Sequence, residues 1–424
     1  MKYIFNKFFS HSKNLSSLEL SLKKIKEKTN IEKIFNSINK QSETSEVRYV
    51  GGCIRQILND ENVYDIDLAT NLRPTQVCEL LKNNKIKYYE TGIEHGTITA
   101  LIDNNKFEIT SLRKDVDTDG RHAKIEYSKN WLDDASRRDF TINSIYSDIN
   151  GNIFDPFNGK KDLENGEVKF IGNVEKRIKE DYLRILRYVR FFLNYSKKNH
   201  NEDVKKIIKQ NLDGFAKISS DRLLDEFQKL AKSKNFLKIA KDDFCFEIIQ
   251  LVFPQFKNLN ILKKLNNYAK RNIDYLDFVF LLSLIILDGS DNVDYFIYKF
   301  NISKKDQKRL LFLNRFFSKK TNGETFSYIN LNKILYFEGR ESLLDLLNFQ
   351  IFRSKKIEQK LIESINIFKD REPPIMPLKA STLIEKYNIP EGKDLGLKLK
   401  KIETKWADNN FAISEKDVLK LINS

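Results

Sequence analysis

The segment VGGCIRQILNDENVYDIDLAT, residues 50–70, leaves little freedom in what it can become. Gly51 and Gly52 follow a short apolar-flanked run, residues 47–50, that reads as a strand, and residues 53–58 then read as one or two helical turns. Glycine lets a backbone come close to a polyanion, and a helix N-terminus attracts one. Asp65 and Asp67 stand at i and i+2 in a β-like stretch, so both carboxylates project from one face. Carboxylate oxygen is the ligand that Mg2+ prefers. Two such ions shared there would neutralise a triphosphate and lower the pKa of an attacking hydroxyl. The order of glycine turn, short helix and paired aspartates therefore implies an α/β unit that brings phosphates beside metal ions.

The chain of 424 residues is long enough for several domains. After a helical extension over residues 1–46, strand-like runs at 47–50, 65–69, 97–102 and 106–111 alternate with helical stretches. The clearest of these is 74–83, opened by Pro74 at a favoured first-turn position. That is an α/β head over residues 47–150. From GNIFDPFNG, residues 151–159, the pattern turns helical, with helices expected at 177–195, 203–211, 220–231 and 276–287. We divide this part into a neck (151–230), a body (231–372) and, beyond the cluster Pro373, Pro374 and Pro377, a tail (373–424). The fold class is α+β.

A net charge of +15 fits a polyanionic partner, although lysine, asparagine and isoleucine abound throughout, so part of the basicity is compositional. Cys53, Cys78 and Cys245 are scattered, without a CxxC pair, which argues against a disulfide framework or zinc site and for a reducing compartment, by default the cytoplasm. The N-terminus lacks the apolar core of a signal peptide, and the most apolar run, residues 276–287, is too short to span a bilayer and reads as a buried helix. A soluble protein without a membrane or an obligate protein partner is expected.

Downstream strings form an ordered set: TGIEHGTITALIDNNKFEITSLRKDVDTDGRHA, DDASRRDFTINSI, IFDPFNGKKDL, RIKEDYLRILRYVRF (177–191) and ISSDRLLDEFQKL (218–230). On these motifs the chain resembles the class II transfer-RNA nucleotidyltransferases, the CCA-adding enzymes, together with bacterial poly(A) polymerases, within the superfamily of DNA polymerase beta. The resemblance covers about residues 47–230 and, more weakly, the tail string EGKDLGLKLKKIETKW. It implies a head, neck, body and tail in which the neck holds the nucleotide base, while the body and tail hold the acceptor and T stems of transfer RNA. Two Mg2+ ions, CTP and ATP are the implied cofactor and substrates.

Carried over residue by residue, Gly51 and Gly52 resemble the phosphate-contacting pair, with Arg55 nearby, and Asp65 and Asp67 the metal ligands. Glu108 resembles the third carboxylate; Arg138, Asp139 and Asn143 resemble contacts to sugar and phosphates. Residues 113–123, with Arg113, Asp119, Gly120 and Arg121, match a flexible loop that helps the switch from C to A. Asp155, Pro156 and Gly159 resemble a hinge, and Arg222 with Glu226 a helix-stabilising element.

Base choice has a chemical answer in the fourth string. On a helix over 177–195, Glu180, Asp181 and Arg184 share a face, with Arg187 and Arg190 following at three-residue steps as further nucleotide contacts. Cytosine and adenine each present an amino donor beside a ring-nitrogen acceptor. The Asp181 carboxylate accepts from the first and the Arg184 guanidinium donates to the second. Uracil and guanine present the reverse, and sites whose polar groups go unpaired discriminate roughly a thousandfold or more. The reading is therefore CCA addition from CTP and ATP. Its rivals are a poly(A) polymerase, an A-adding or CC-adding specialist, and a non-catalytic RNA-binding protein of the same fold. The intact Asp65, Asp67, Asp181 and Arg184 stand against the last. A metal-dependent phosphohydrolase activity is not expected, since none of His11, His95, His122 and His200 is followed by aspartate.

Overall fold

The computed structural model describes residues 17–63, 65–118, 123–317, 323–356 and 358–423. The chain forms two compact units, Met1–Phe236 and Leu237–Ser424.

The first unit opens with α1 (Ser17–Thr29) and α2 (Glu32–Asn39), whose Leu18, Leu22, Ile34, Phe35 and Ile38 are buried in one core with the sheet. There follow β1 (Val47–Val50), α3 (Gly52–Leu58), β2 (Ile66–Thr70), α4 (Pro74–Asn83), β3 (Lys87–Gly92), β4 (Thr97–Ile102) and β5 (Asn105–Ser111). β6 (Arg113–Thr118) and β7 (Ala123–Tyr127) pair only with each other among the described residues, and α5 (Trp131–Ser136), β8 (Tyr146–Ser147) and β9 (Ile153–Phe154) complete the strand-bearing part. The sheet order is β3-β4-β5-β2-β1-β8-β9. β2 and β5 run parallel, and the other neighbours are antiparallel. β4 alternates as a one-sided strand should, with Ile98, Ala100 and Ile102 buried. Opposite it Phe107 and Ile109 of β5 are equally buried, and a side chain of that size contributes about 1.5–3 kcal/mol when removed from water.

The helical continuation comprises α6 (Gly159–Asn165), α7 (Val174–Glu180), α8 (Arg184–Tyr195), α9 (Glu202–Gln210) and α10 (Ser220–Ala231). Asp155 starts α6 by accepting the amides of Gly159 (2.7 Å) and Lys160 (2.8 Å). A Cβ at Gly159 would stand 2.0 Å from the Thr141 carbonyl oxygen, so only glycine fits that backbone contact.

The second unit is helical: α11 (Asp243–Val252), α12 (Asn267–Asn272), α13 (Phe278–Ile286), α14 (Asn292–Phe300), α15 (Lys304–Phe317), α16 (Tyr328–Arg353), α17 (Gln359–Phe368), α18 (Ala380–Tyr387), α19 (Lys393–Asp408) and α20 (Glu415–Ile422). The apolar run of 276–287 is α13, buried from Val279 to Ile286 and capped by Asp277, which accepts the Phe280 amide at 3.0 Å. Asp277 also receives the Arg309 guanidinium of α15, which pairs in turn with Asp345 of α16 at 2.8 Å. This ion triad, with Arg309 and Asp345 buried and Asp277 exposed, joins three helices. The last three helices share a core of their own, with Leu383, Leu395, Ile402, Val418 and Ile422. Among the described residues no helix is long and apolar enough to cross a membrane.

Two expectations need correction here. The helix over 177–195 is broken, because Asp181 leaves α7 with extended backbone (φ −156°, ψ 106°). Residues 113–123 are not a plain loop, since β6 and β7 form the arms of a two-stranded ribbon. Asp119, Gly120 and Arg121 lie outside the described residues.

Candidate active site

A cavity of about 560 Å³ in the first unit gathers most of the residues singled out above. Gly51, Gly52 and Arg55 enter from the turn and α3, Asp65 and Asp67 from the start of β2, and Arg138, Asp139 and Asn143 from the segment after α5. Asp181, Arg184, Arg187 and Arg190 come from the break before α8 and from α8 itself. Arg137, Arg222 and Lys229 line it as well. Cations outnumber carboxylates on this lining, which suits a polyanion. Glu108 does not line the cavity but stands beside Asp67, its partner in the parallel β2–β5 register. Arg113 lies at the base of the ribbon, where it donates to the His95 carbonyl.

The carboxylates crowd one another. Burial pushes the Asp67 carboxyl up, the charges of Glu108 and Asp65 push it further, and Arg138 and Arg55 oppose them. Such a cluster of hard oxygen donors is what a divalent cation relieves.

The glycine turn works through its missing side chain. Gly51 has φ +67°, and its amide is committed to the Ile145 carbonyl at 3.2 Å. A Cβ there would stand 3.3 Å from Arg138 Nη1, so the guanidinium lies over the turn. Arg138 is held from behind by Asp134, with Nη2 donating to Oδ2 at 3.1 Å, and its Nε donates to the Tyr146 hydroxyl at 3.0 Å. Asp139 accepts from Arg187 Nε (2.7 Å), Asn143 Nδ2 (2.8 Å) and the Phe140 amide (2.8 Å). Burial opposes its ionisation, but Arg187 and these donors win and hold the carboxyl well below the usual range. Arg55 donates to Asn143 and lies over the rings of Phe191 (4.8 Å) and Tyr195 (5.0 Å), tying α3 to α8.

The break at Asp181 corrects the expected helix face of Glu180, Asp181 and Arg184. Asp181 Oδ1 accepts the Leu183 amide at 3.1 Å, as a capping aspartate does, while Oδ2 accepts from Arg222 at 2.8 Å. Arg184 donates to Glu180 at 2.7 Å and to the Arg177 carbonyl at 2.8 Å. Arg222 and Glu226 likewise do more than stabilise α10: each reaches a different partner, Glu226 taking Arg190 Nε at 2.5 Å.

With this geometry in view, the comparisons with known proteins are direct. Residues 47–169 match the family described as the poly A polymerase head domain. The mitochondrial CCA tRNA nucleotidyltransferase 1 of Mus musculus is 30% identical over 409 residues, 90% of this chain and 87% of the mouse protein. The chain belongs to the CCA-adding enzyme family. The CCA-adding enzyme of Lactobacillus johnsonii is 27% identical over 382 residues, covering 87% of this chain and 92% of its own. Among solved structures, the Bacillus stearothermophilus CCA-adding enzyme in complex with CTP shares the fold, with a TM-score of 0.67 and 21% identity over 92% of this chain and 95% of that one.

For this member of the CCA-adding family, sequence reasoning passed over Asp134, Tyr146 and Phe191. Asp134 had a signal, since it precedes Arg137 and Arg138 by three and four residues on what reads as one helical turn. Glu226 was singled out as a helix-stabilising residue, and its long-range pairing with Arg190 had a signal as well, an acid on the buried face that carries Leu223, Phe227 and Leu230. Tyr146 and Phe191 reach the site only through the tertiary fold.

Proposed function

We propose that this chain adds C, C and A to the 3′ end of transfer RNA from CTP and ATP, without a nucleic-acid template. The observation that carries the reading is that Asp65 and Asp67 share one cavity with Asp181 and Arg184, so a nucleotide can have its phosphates at one end and its base edge at the other. The 3′ hydroxyl of the RNA attacks the α-phosphorus, a new phosphodiester bond forms, and pyrophosphate leaves.

Asp65, Asp67 and the adjacent Glu108 would hold Mg2+, for which their crowded oxygen donors fit. Two bound ions supply charge neutralisation of the triphosphate and activation of the hydroxyl. Arg138, set over Gly51, meets the phosphates, and Arg187 and Arg190 extend the positive wall. Asp181 accepts the amino group of cytosine or adenine, and Arg184 donates to the ring nitrogen. Their present partners, Arg222 and Glu180, orient these groups without exhausting them, because a carboxylate has about four lone-pair sites and a guanidinium five N–H donors. The basic tail, with Lys398, Lys400 and Lys401 beside a groove of about 700 Å³, takes the transfer-RNA backbone. The three free cysteines, all buried, fit a reducing compartment, which we take as the cytoplasm.

The test is incubation of the purified protein with transfer RNA lacking its last three nucleotides, supplied with each triphosphate in turn. Two C additions from CTP, followed by one A from ATP, support the reading. Runs of A from ATP alone would make the chain a poly(A) polymerase instead.

A further inference from the structure

Asp134 is the most heavily engaged carboxylate of the site and touches neither cavity nor solvent: its side chain is 1% exposed. Oδ1 accepts from Arg137 Nε at 2.8 Å and Nη2 at 2.6 Å. Oδ2 accepts from Arg138 Nη2 at 3.1 Å and from the Tyr146 hydroxyl at 2.6 Å. Both arginines line the cavity. Arg138 is fixed on its far edge by Asp134 and Tyr146, and its Nη1 lies against the Gly51 turn, where a Cβ would stand only 3.3 Å away.

We propose that Asp134 is a positioning residue for nucleotide binding, a buried anchor that locks Arg137 and Arg138 so that their cavity-facing N–H groups meet the triphosphate already ordered. The inference rests on the proposed reading of this cavity as the nucleotide site. A free arginine surrenders rotamer entropy when a ligand immobilises it, and a pre-oriented guanidinium does not. One carboxylate shared by two guanidiniums also leaves a net positive charge for the phosphates. The geometry on α5 and after it explains the spacing: in DDASRRD, positions i+3 and i+4 from Asp134 fall on its side of the turn.

The test is Asp134→Asn, which keeps the shape but loses the charge and turns an N–H2 donor toward one arginine. We expect the Kd for CTP and ATP to rise about tenfold to thirtyfold, with the rate at saturating nucleotide falling less than threefold. Inhibition by inorganic tripolyphosphate should weaken in parallel, and transfer-RNA affinity should hold. A merely structural role would lower Tm without this split. In a mutant cycle, Asp134→Asn added to Arg137→Ala with Arg138→Ala should be little worse than that arginine pair alone. Should Asp134→Asn prove too unstable to assay, Asp134→Glu, which displaces the charge by one methylene, carries the same test. Wild-type nucleotide affinity retained in a folded variant overturns the proposal. A wild-type protein that binds neither CTP nor ATP would instead overturn the reading of the cavity itself.

Discussion

Arg222 of α10 donates to Asp181 Oδ2 over 2.8 Å and so braces the break between α7 and α8 from outside both helices. With the Leu183 amide on Oδ1, the Asp181 carboxylate is held at both oxygens, and a group held this way can discriminate between bases. Arg222→Ala should therefore lower kcat/KM for CTP and ATP about tenfold, the value of one charge-assisted hydrogen bond, and raise misincorporation of UTP. Single-nucleotide incorporation with all four triphosphates checks this. Unchanged selectivity would assign the pair to helix packing alone.

Asp65→Ala and Asp67→Asn should each abolish nucleotide addition while leaving transfer-RNA affinity intact, because these carboxylates face phosphates and metal in this account. The expected cost is several kcal/mol of transition-state stabilisation. Filter binding and incorporation assays on the same preparations separate the two effects. Substantial turnover in Mg2+ by either variant would remove that residue from the chemistry.

The first unit should be acid-labile in a defined window. Burial opposes ionisation of Asp134, yet Arg138 and Arg137 hold its carboxyl down at about 2, against an ordinary 3.8. A depressed carboxylate contributes stability that is fully present above the unfolded value and is lost as pH falls through the folded one. The window is therefore pH 4 to 2, and the contribution at stake is about 2 kcal/mol. Thermal unfolding followed across that range should show a fall in Tm that Asp134→Asn reduces, the remainder belonging to Asp139, whose carboxyl is also held down. A parallel fall in wild type and variant would mean that other carboxylates carry the transition.

How far could this have been read from residues alone? β1, β4, α4 and α10 stand where periodicity and Pro74 put them, because each buries one face or opens on a residue with fixed backbone preference. The glycine turn and the aspartate pair were legible for the same local reason. The break at Asp181 was not, since the apolar period continues through it and only the cap to Leu183 and the long-range Arg222 contact stop the helix. The β6–β7 ribbon escaped notice because β6, RKDVDT, has Val116 as its single apolar residue and so shows no alternation, and the alternation of β7, AKIEY, is only five residues long. Glu108 meets Asp67 through parallel pairing of strands that are not neighbours in sequence. Asp134 was hidden differently: next to two arginines, it looks like a surface ion pair until its 1% exposure is known.

The tail offers a separable test of RNA binding. Lys398, Lys400 and Lys401 border its groove, while Leu395, Ile402 and Ile422 fill its core, so replacing the three lysines by alanine should leave the fold intact. Transfer-RNA affinity should fall and the slope of log K against log salt should flatten by about 2 to 3, with the rate on saturating RNA unchanged. An unaltered salt slope would mark this charge as compositional.

The central claim is that one pocket reads both C and A through Asp181 and Arg184, and Arg184→Ala tests it most directly. Removing the guanidinium takes away the donor to the ring nitrogen while Asp181 still accepts the amino group. Incorporation is measured on transfer-RNA primers ending before C and before A, with all four triphosphates compared. The account predicts a loss of about ten- to a hundredfold in efficiency with both CTP and ATP, and relaxed exclusion of UTP and GTP on both primers. Undiminished selectivity for CTP and ATP would contradict it, leaving Arg184 a structural role through its ion pair with Glu180 at 2.7 Å and its bond to the Arg177 carbonyl at 2.8 Å.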